Sequence, residues 1–180
     1  MKTFRSLVVL KRPHAELWTV MRDHLVDISP HIADIEDIRQ LERTIDADGV
    51  IHIINQWHVR HQVPPMIRSI LKTSELSWID RNTWDARTLT CSWTIEPNFL
   101  TGYIDCSGQT GFASAMCGQG ARVTFEGGLD LKPGLLGGSL GGIEKLVSGF
   151  IESIVTTVIP RNLRGVVEAA AAFEVPKAGS

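Results

Sequence analysis

Residues 143–172 read IEKLVSGFIESIVTTVIPRNLRGVVEAAAA, and this stretch decides the fold. Ile143, Leu146, Val147, Phe150, Ile151, Ile154, Val155 and Val158 recur at three- and four-residue steps and spread a broad apolar stripe along one helix. A stripe this wide cannot be left in water, so another layer of structure must cover it. Pro160 should kink or interrupt the helix, after which Leu163, Val166, Val167 and the alanines of Ala169 to Ala172 resume the pattern. Pro176 to Ser180 read as a flexible tail.

The cover comes from upstream. Between Ile35 and Asp130 the apolar period changes to two, and Asp46-Ala47-Asp48-Gly49, Glu96-Pro97-Asn98 and Cys117-Gly118-Gln119-Gly120 punctuate the runs as turns. Ile35 to Ile45 pairs across the Asp-Gly turn with Val50 to Gln62, whose inner face is Ile51, Ile53, Trp57 and Val59. Leu76, Trp78, Asp80, Asn82 and Trp84 share one parity, and Leu89, Cys91, Trp93 and Ile95 share another. Ile104, Cys106, Thr110, Phe112, Ser114 and Met116 line up next, with Gly108 and Gly111 allowing a bend or bulge, and Val123, Phe125, Leu129 and Leu131 finish the sheet. Ahead of the meander, Lys2 to Lys11 reads as a strand. Pro13 then starts a helix with Leu17, Trp18, Met21, Leu25 and Ile28 on its core face, interrupted at Ser29-Pro30. A short helical turn over Met66 to Leu71 follows the break at Pro64-Pro65.

With 180 residues, 43% of them hydrophobic and 21% charged, the chain reads as one domain over 1–180. A formal charge of -2 argues against a nucleic-acid partner. The apolar run Leu7 to Leu10 is too short for a membrane span, which leaves room for transient membrane contact but not for integral association. The odd set Cys91, Cys106 and Cys117, without CxxC spacing, points to a reduced, cytoplasmic setting.

A strand, a helix pair, six antiparallel strands and a long C-terminal helix make an α+β chain: a curved sheet of about seven strands wrapped around that helix, the helix-grip arrangement. At KTFRSLVVLKRPHAELWTVMRD (2–23), ARTLTCSWTIEP (86–97) and ARVTFEGGLDLKP (121–133), followed by the long helix, the chain resembles the START-related (SRPBCC, helix-grip) superfamily. Its members include polyketide cyclase/dehydrase-like proteins, plant allergens and lipid-transfer domains. The resemblance implies a deep cavity between sheet and helix that holds an apolar ligand. No cofactor is expected.

The residues themselves offer no strong catalytic signature. His52, His58 and His61 are the only local histidine cluster, but strand parity splits them between faces, so no metal site is expected. GLLGGSLGG (134–142) lacks both the GK[ST] ending of a P-loop and the GxGxxG register, and reads as a flexible lead into the helix beside a cavity mouth. Trp57, Trp78, Trp84 and Trp93 are the best pointer to a ligand, since an indole joins large apolar area to an N–H donor; plain core packing is the rival explanation. Asn82 and Thr110 are candidate polar contacts, and Phe112, Phe125, Phe150 and Ile154 candidate apolar ones. Asp80 and Tyr103 are the candidates for acid–base work, Asp80 being inward only if Trp78 is. Three functions follow: binding or transport of a lipid, acyl chain or polycyclic aromatic; a metal-free cyclase, dehydratase or aromatase using the same cavity; or a protein-interaction module built on a sheet edge or the Pro64-Pro65 loop.

Overall fold

The computed structural model describes residues 2–60, 63–132 and 141–176. The expectations for His61, for most of the glycine-rich stretch and for residues 177–180 lie outside these. Seven strands form one antiparallel sheet: β1 (Lys2–Leu10), β2 (Ile35–Ile45), β3 (Ile51–Val59), β4 (Leu76–Asp85), β5 (Thr90–Pro97), β6 (Ile104–Ala115) and β7 (Gly120–Leu131). Their spatial order, β1-β7-β6-β5-β4-β3-β2, is a meander from β2 to β7 with β1 added at the far edge. Helices α1 (His14–Asp23) and α2 (Leu25–Ile28) follow β1, α3 (Pro65–Leu71) joins β3 to β4, and α4 (Gly141–Ser153) and α5 (Ile159–Ala172) form the long helix. This is the helix-grip arrangement.

Between α4 and α5 lies a π-helical turn, Ile154–Val158, with Pro160 at the start of the next α-helical segment. A proline inside a helix lacks its N–H and presses its ring on the carbonyl four residues back. The wider turn relieves that crowding, so the expected interruption takes the form of a π turn, a common site of helix irregularity. Ile154, Val155, Val158 and Ile159 stay buried through it.

The two layers meet through Val147, Ile151, Val166 and Val167 from the helix and Ile38, Leu76, Val123, Phe125 and Leu129 from the sheet, all in one core. Leu146, placed on the stripe by its spacing, is instead 41% exposed, which narrows the buried face of α4. The far end of the long helix is tied down by Arg12, whose Nη1 donates to the carbonyls of Ala170 (2.7 Å) and Phe173. A guanidinium there supplies the donors that the last helical turn lacks and opposes the negative end of its dipole. Among the described residues no helix is long and apolar enough to cross a membrane.

Alternation along β3, β4 and β5 follows the expected faces, but the sixth strand departs from expectation at two places. Ser114 and Met116 are exposed, because β6 ends at Ala115 and Met116 opens a 3-10 turn with positive φ. Gly108 makes no bulge: the register runs without a shift from Trp93↔Gly108 to Gly108↔Gly127. Its role is space. A Cβ on Gly108 would stand 2.4 Å from Trp93 Cζ2 and 2.2 Å from the Glu126 carbonyl, and one on Gly127 would stand 2.5 Å from Trp93 Cη2. The Trp93 indole lies across these two glycines. Gly108→Ala is therefore expected to destabilise the fold by about 1–3 kcal/mol through overpacking, read as a lower urea midpoint. Gly111→Ala, with nothing within 4 Å of its Cβ, is the neutral control. Equal midpoints for the two variants would contradict this account.

Candidate functional site

Strand parity puts Trp57 of β3, Trp78, Asp80, Asn82 and Trp84 of β4, Cys91 and Trp93 of β5, Thr110 of β6 and Phe125 of β7 on the sheet's inner face, all buried. Trp57 and Trp78 are direct cross-strand partners and stack with centroids 5.9 Å apart. Trp84 meets Trp18 of α1 edge-on at 5.8 Å, and Trp93 stacks on Phe4 of β1 at 6.0 Å. These contacts hold the rings in place, as offset and edge-on aromatic pairs do.

Between the rings and the helices lies a cavity of about 60 Å³. The sheet supplies Trp57, Trp78, Trp84, Trp93, Asp80, Asn82, Cys91, Ile95, Thr110 and Phe125; Met21, Leu25, Ile159, Asn162, Leu163 and Val166 close it from the helical side. A second void of about 20 Å³ sits beside Trp78, Ile95 and Ile154. The deep cavity expected from the family resemblance is thus present only as a small chamber, well short of the few hundred Å³ that drug-sized ligands occupy. Large indoles and a close helix leave little room.

The chamber is polar at its sheet-side centre. Cys91 Sγ donates to Asn82 Oδ1 at 3.4 Å, and Asn82 Nδ2 donates to Asp80 Oδ2 at 2.7 Å. Trp93 Nε1 donates to Thr110 Oγ1 at 3.2 Å. Burial pushes the Asp80 carboxyl from its ordinary 3.8 up to about 6, against the smaller opposing effects of Asn82, Trp57 and Asn55. Trp57 and Asn55 stand close enough to Asp80 to favour its charged form, yet Asp80 Oδ1 and Trp57 Nε1 each lack a partner in hydrogen-bond geometry. Both side-chain atoms of Asn162, on α5, are likewise buried without partners. Unsatisfied buried groups of this kind cost about 1–3 kcal/mol each; Asp80, Trp57 and Asn162 all line this void, whereas the further buried orphan, His14 Nδ1, lies away from it.

Several expected residues fall elsewhere. Tyr103 is 41% exposed in the turn ahead of β6 and lines neither interior void, because the chain has not yet entered the strand. Phe112 is buried but packs on Trp84 beyond the chamber, and Phe150 is half-buried against the core. Ile154 reaches only the smaller void. Asn162 was missed, although it breaks the apolar series Val158, Asn162, Val166 at four-residue steps. Asn55, buried on the parity of Trp57, carried the same kind of signal. His52 and His58 are half-buried on the opposite face, and no group of metal-ligating side chains occurs among the described residues.

Asn162 also forms part of an open groove of about 850 Å³ between residues 31–34 and α5, so one side chain borders both the outer groove and the inner chamber. An ion pair, Arg161 Nε to Asp34 Oδ2 at 2.5 Å, spans that groove.

This architecture, a seven-stranded sheet gripping a long helix, recurs in solved structures. A Thermus thermophilus protein matches with a TM-score of 0.64 at 17% identity, covering 94% of this chain and 97% of its own. The Zhui aromatase/cyclase from a Streptomyces species matches at 0.66 and 15%, covering 94% and 93%. Ara h 8.0201 matches at 0.57 and 14%, covering 94% of both chains. At these identities the likeness establishes the fold. No protein-family model matches the sequence, and no curated protein matches it.

The raised Asp80 pKa fixes a sign. The folded chain holds this proton more tightly than the unfolded chain does, so stability falls as pH rises from about 4 to about 6 and the full cost persists above. A shift of about two pKa units corresponds to roughly 3 kcal/mol. Asp80→Asn keeps the bond from Asn82 and removes the charge. Urea denaturation should find it more stable than the wild type by about 2–3 kcal/mol near pH 8, with the gap closing near pH 4. A gap independent of pH would contradict the buried-carboxylate account.

Proposed function

We propose that this chain binds a small apolar or aromatic molecule bearing at least one hydrogen-bonding group, held between the sheet and the long helix. The observation that supports this reading is the convergence on one void of Trp57, Trp78, Trp84 and Trp93 with the unpartnered polar atoms of Asp80, Trp57 and Asn162. Apolar walls supply affinity at about 25 cal/mol per Å² buried, before the costs of association, and a few fixed polar groups supply orientation. A ligand larger than the chamber would enter from the groove shared at Asn162 by parting α5 from residues 31–34. Lipids, acyl chains and polycyclic aromatics belong to this larger class.

Displacement of a neutral naphthylamine fluorophore, followed by tryptophan quenching, measures binding directly. Native mass spectrometry identifies any ligand carried through purification. Leu163→Trp, which fills the chamber from α5, should weaken binding about tenfold or more. Asn162→Leu removes two unsatisfied atoms; it should raise stability by about 1–3 kcal/mol while weakening ligands that carry a polar group. Binding unchanged in both variants, or no binding by the wild type, would overturn the proposal.

One observation favours a second reading, an enzyme of the cyclase or dehydratase kind: a carboxyl with a pKa of about 6 inside a chamber suits general acid–base work near neutral pH. The aromatase/cyclase among the structural neighbours has the same fold. In this reading Asp80 moves the proton and Tyr103, outside the chamber, takes no part. With a substrate in hand, Asp80→Asn should lower kcat far more than it changes KM; unchanged turnover excludes the mechanism.

A further inference from the structure

We infer that the molecule held in the chamber carries an ammonium group, so that the site recognises a small organic cation with an apolar or aromatic body. The inference rests on the chamber being a ligand site. It starts from a charge without a counter-charge: Asp80 is buried, its Oδ1 has no partner, and no Lys, Arg or His is among the residues lining the void. The titratable groups facing that void are Asp80 itself and Cys91 of β5. Burial pushes the Cys91 thiol well above its ordinary range and keeps it neutral. From β3 the neighbours are Trp57 and Asn55, the latter directly opposite Asp80 in the register; from β6 the void is lined by Thr110 and from α5 by Asn162. Their N–H groups favour the charged carboxylate, but none carries a positive charge to balance it.

The surrounding chemistry matches a cation on two further counts. Tryptophan is the strongest of the aromatic partners for an ammonium, and four of them line this one void. Asn162 Oδ1 is a second orphaned acceptor, placed on the helical wall opposite the strand that carries Asp80. An ammonium carries three N–H donors, enough in number for both orphaned acceptors. The orphaned donors, Trp57 Nε1 and Asn162 Nδ2, remain available to an oxygen elsewhere on the same molecule.

Energetics separate the ligand classes. Burying an ion pair is costly when both partners must leave water, but here the carboxylate is already desolvated by folding. Only the ammonium's own hydration must be offset, chiefly by the charge pair, with the indoles that line the void adding to it. A neutral alcohol satisfies Oδ1 without neutralising its charge. A carboxylate or phosphate ligand meets Asp80 as a second uncompensated anion and is excluded.

Calorimetric titration of the full chain with benzylamine, benzyl alcohol and benzoate holds the apolar body nearly constant and varies the charge. Near pH 8 benzylammonium should bind about tenfold or more tighter than benzyl alcohol, with benzoate not binding. Asp80→Asn should bring the amine-to-alcohol affinity ratio down to about one, whatever it does to the alcohol's own affinity, and lowering the pH to about 5, where Asp80 is protonated and benzylamine still charged, should act the same way. Equal or tighter binding of the alcohol or benzoate, or an undiminished amine preference in Asp80→Asn, overturns the ammonium inference and leaves the small-molecule site standing. Failure of every probe to bind overturns both.

Discussion

The broad apolar stripe running from α4 through α5 can be stable only under a cover as long as itself, and the inner face of the seven-stranded sheet is that cover. Most of the rest follows from how the two surfaces are kept at their separation. Trp57, Trp78, Trp84 and Trp93 are large enough to reach toward the helix from the sheet floor, and they are braced by one another, by Trp18 and by Phe4. Gly108 and Gly127 are small so that the Trp93 ring can lie flat across β6 and β7. Arg12 fixes the far end of α5, and the π turn lets the helix pass Pro160 without leaving the sheet.

Within that frame the chain keeps groups that a core selected for stability alone would replace. Asp80 is ionised at a cost above pH 6, and Asn162 and Trp57 leave polar atoms unsatisfied within the same void. Proteins tolerate such local destabilisation where function needs it, and the remainder of the core supplies the margin. The small size of the chamber is consistent with this balance. It is closed by side chains from a helix whose one polar inward residue, Asn162, also faces the outer groove.

Much of this was legible in the residues. Two-residue alternation along 76–84 placed Asp80 and Asn82 on the parity of three buried apolar residues, and the β3–β4 register bears that out. The three- and four-residue steps after Ile143 likewise gave the long helix and the need to cover it. What stayed hidden depended on where strands end and how far layers stand apart. Ser114 and Met116 looked inward by parity, but the first is exposed in the last residues of β6 and the second lies past its end; Tyr103, expected on a strand bordering the cavity, sits in the turn before β6 begins. Phe112 does face inward, yet it lies beyond the chamber because distance along a strand sets which helix it meets. Chamber volume was invisible for a related reason: it depends on rotamers and on helix placement, which no one-dimensional pattern encodes.

The tryptophan-lined chamber is either the ligand site proposed above or an imperfectly filled core. A high-resolution crystal structure of the purified protein, with the density between Asp80 and Asn162 inspected, tests this most directly. The account predicts ordered non-protein density within hydrogen-bond distance of Asp80 Oδ1 and Asn162, bounded by the indole rings. A chamber closed by rearranged side chains, with Asp80 and Asn162 satisfied by the protein's own groups and no density between them, would contradict it.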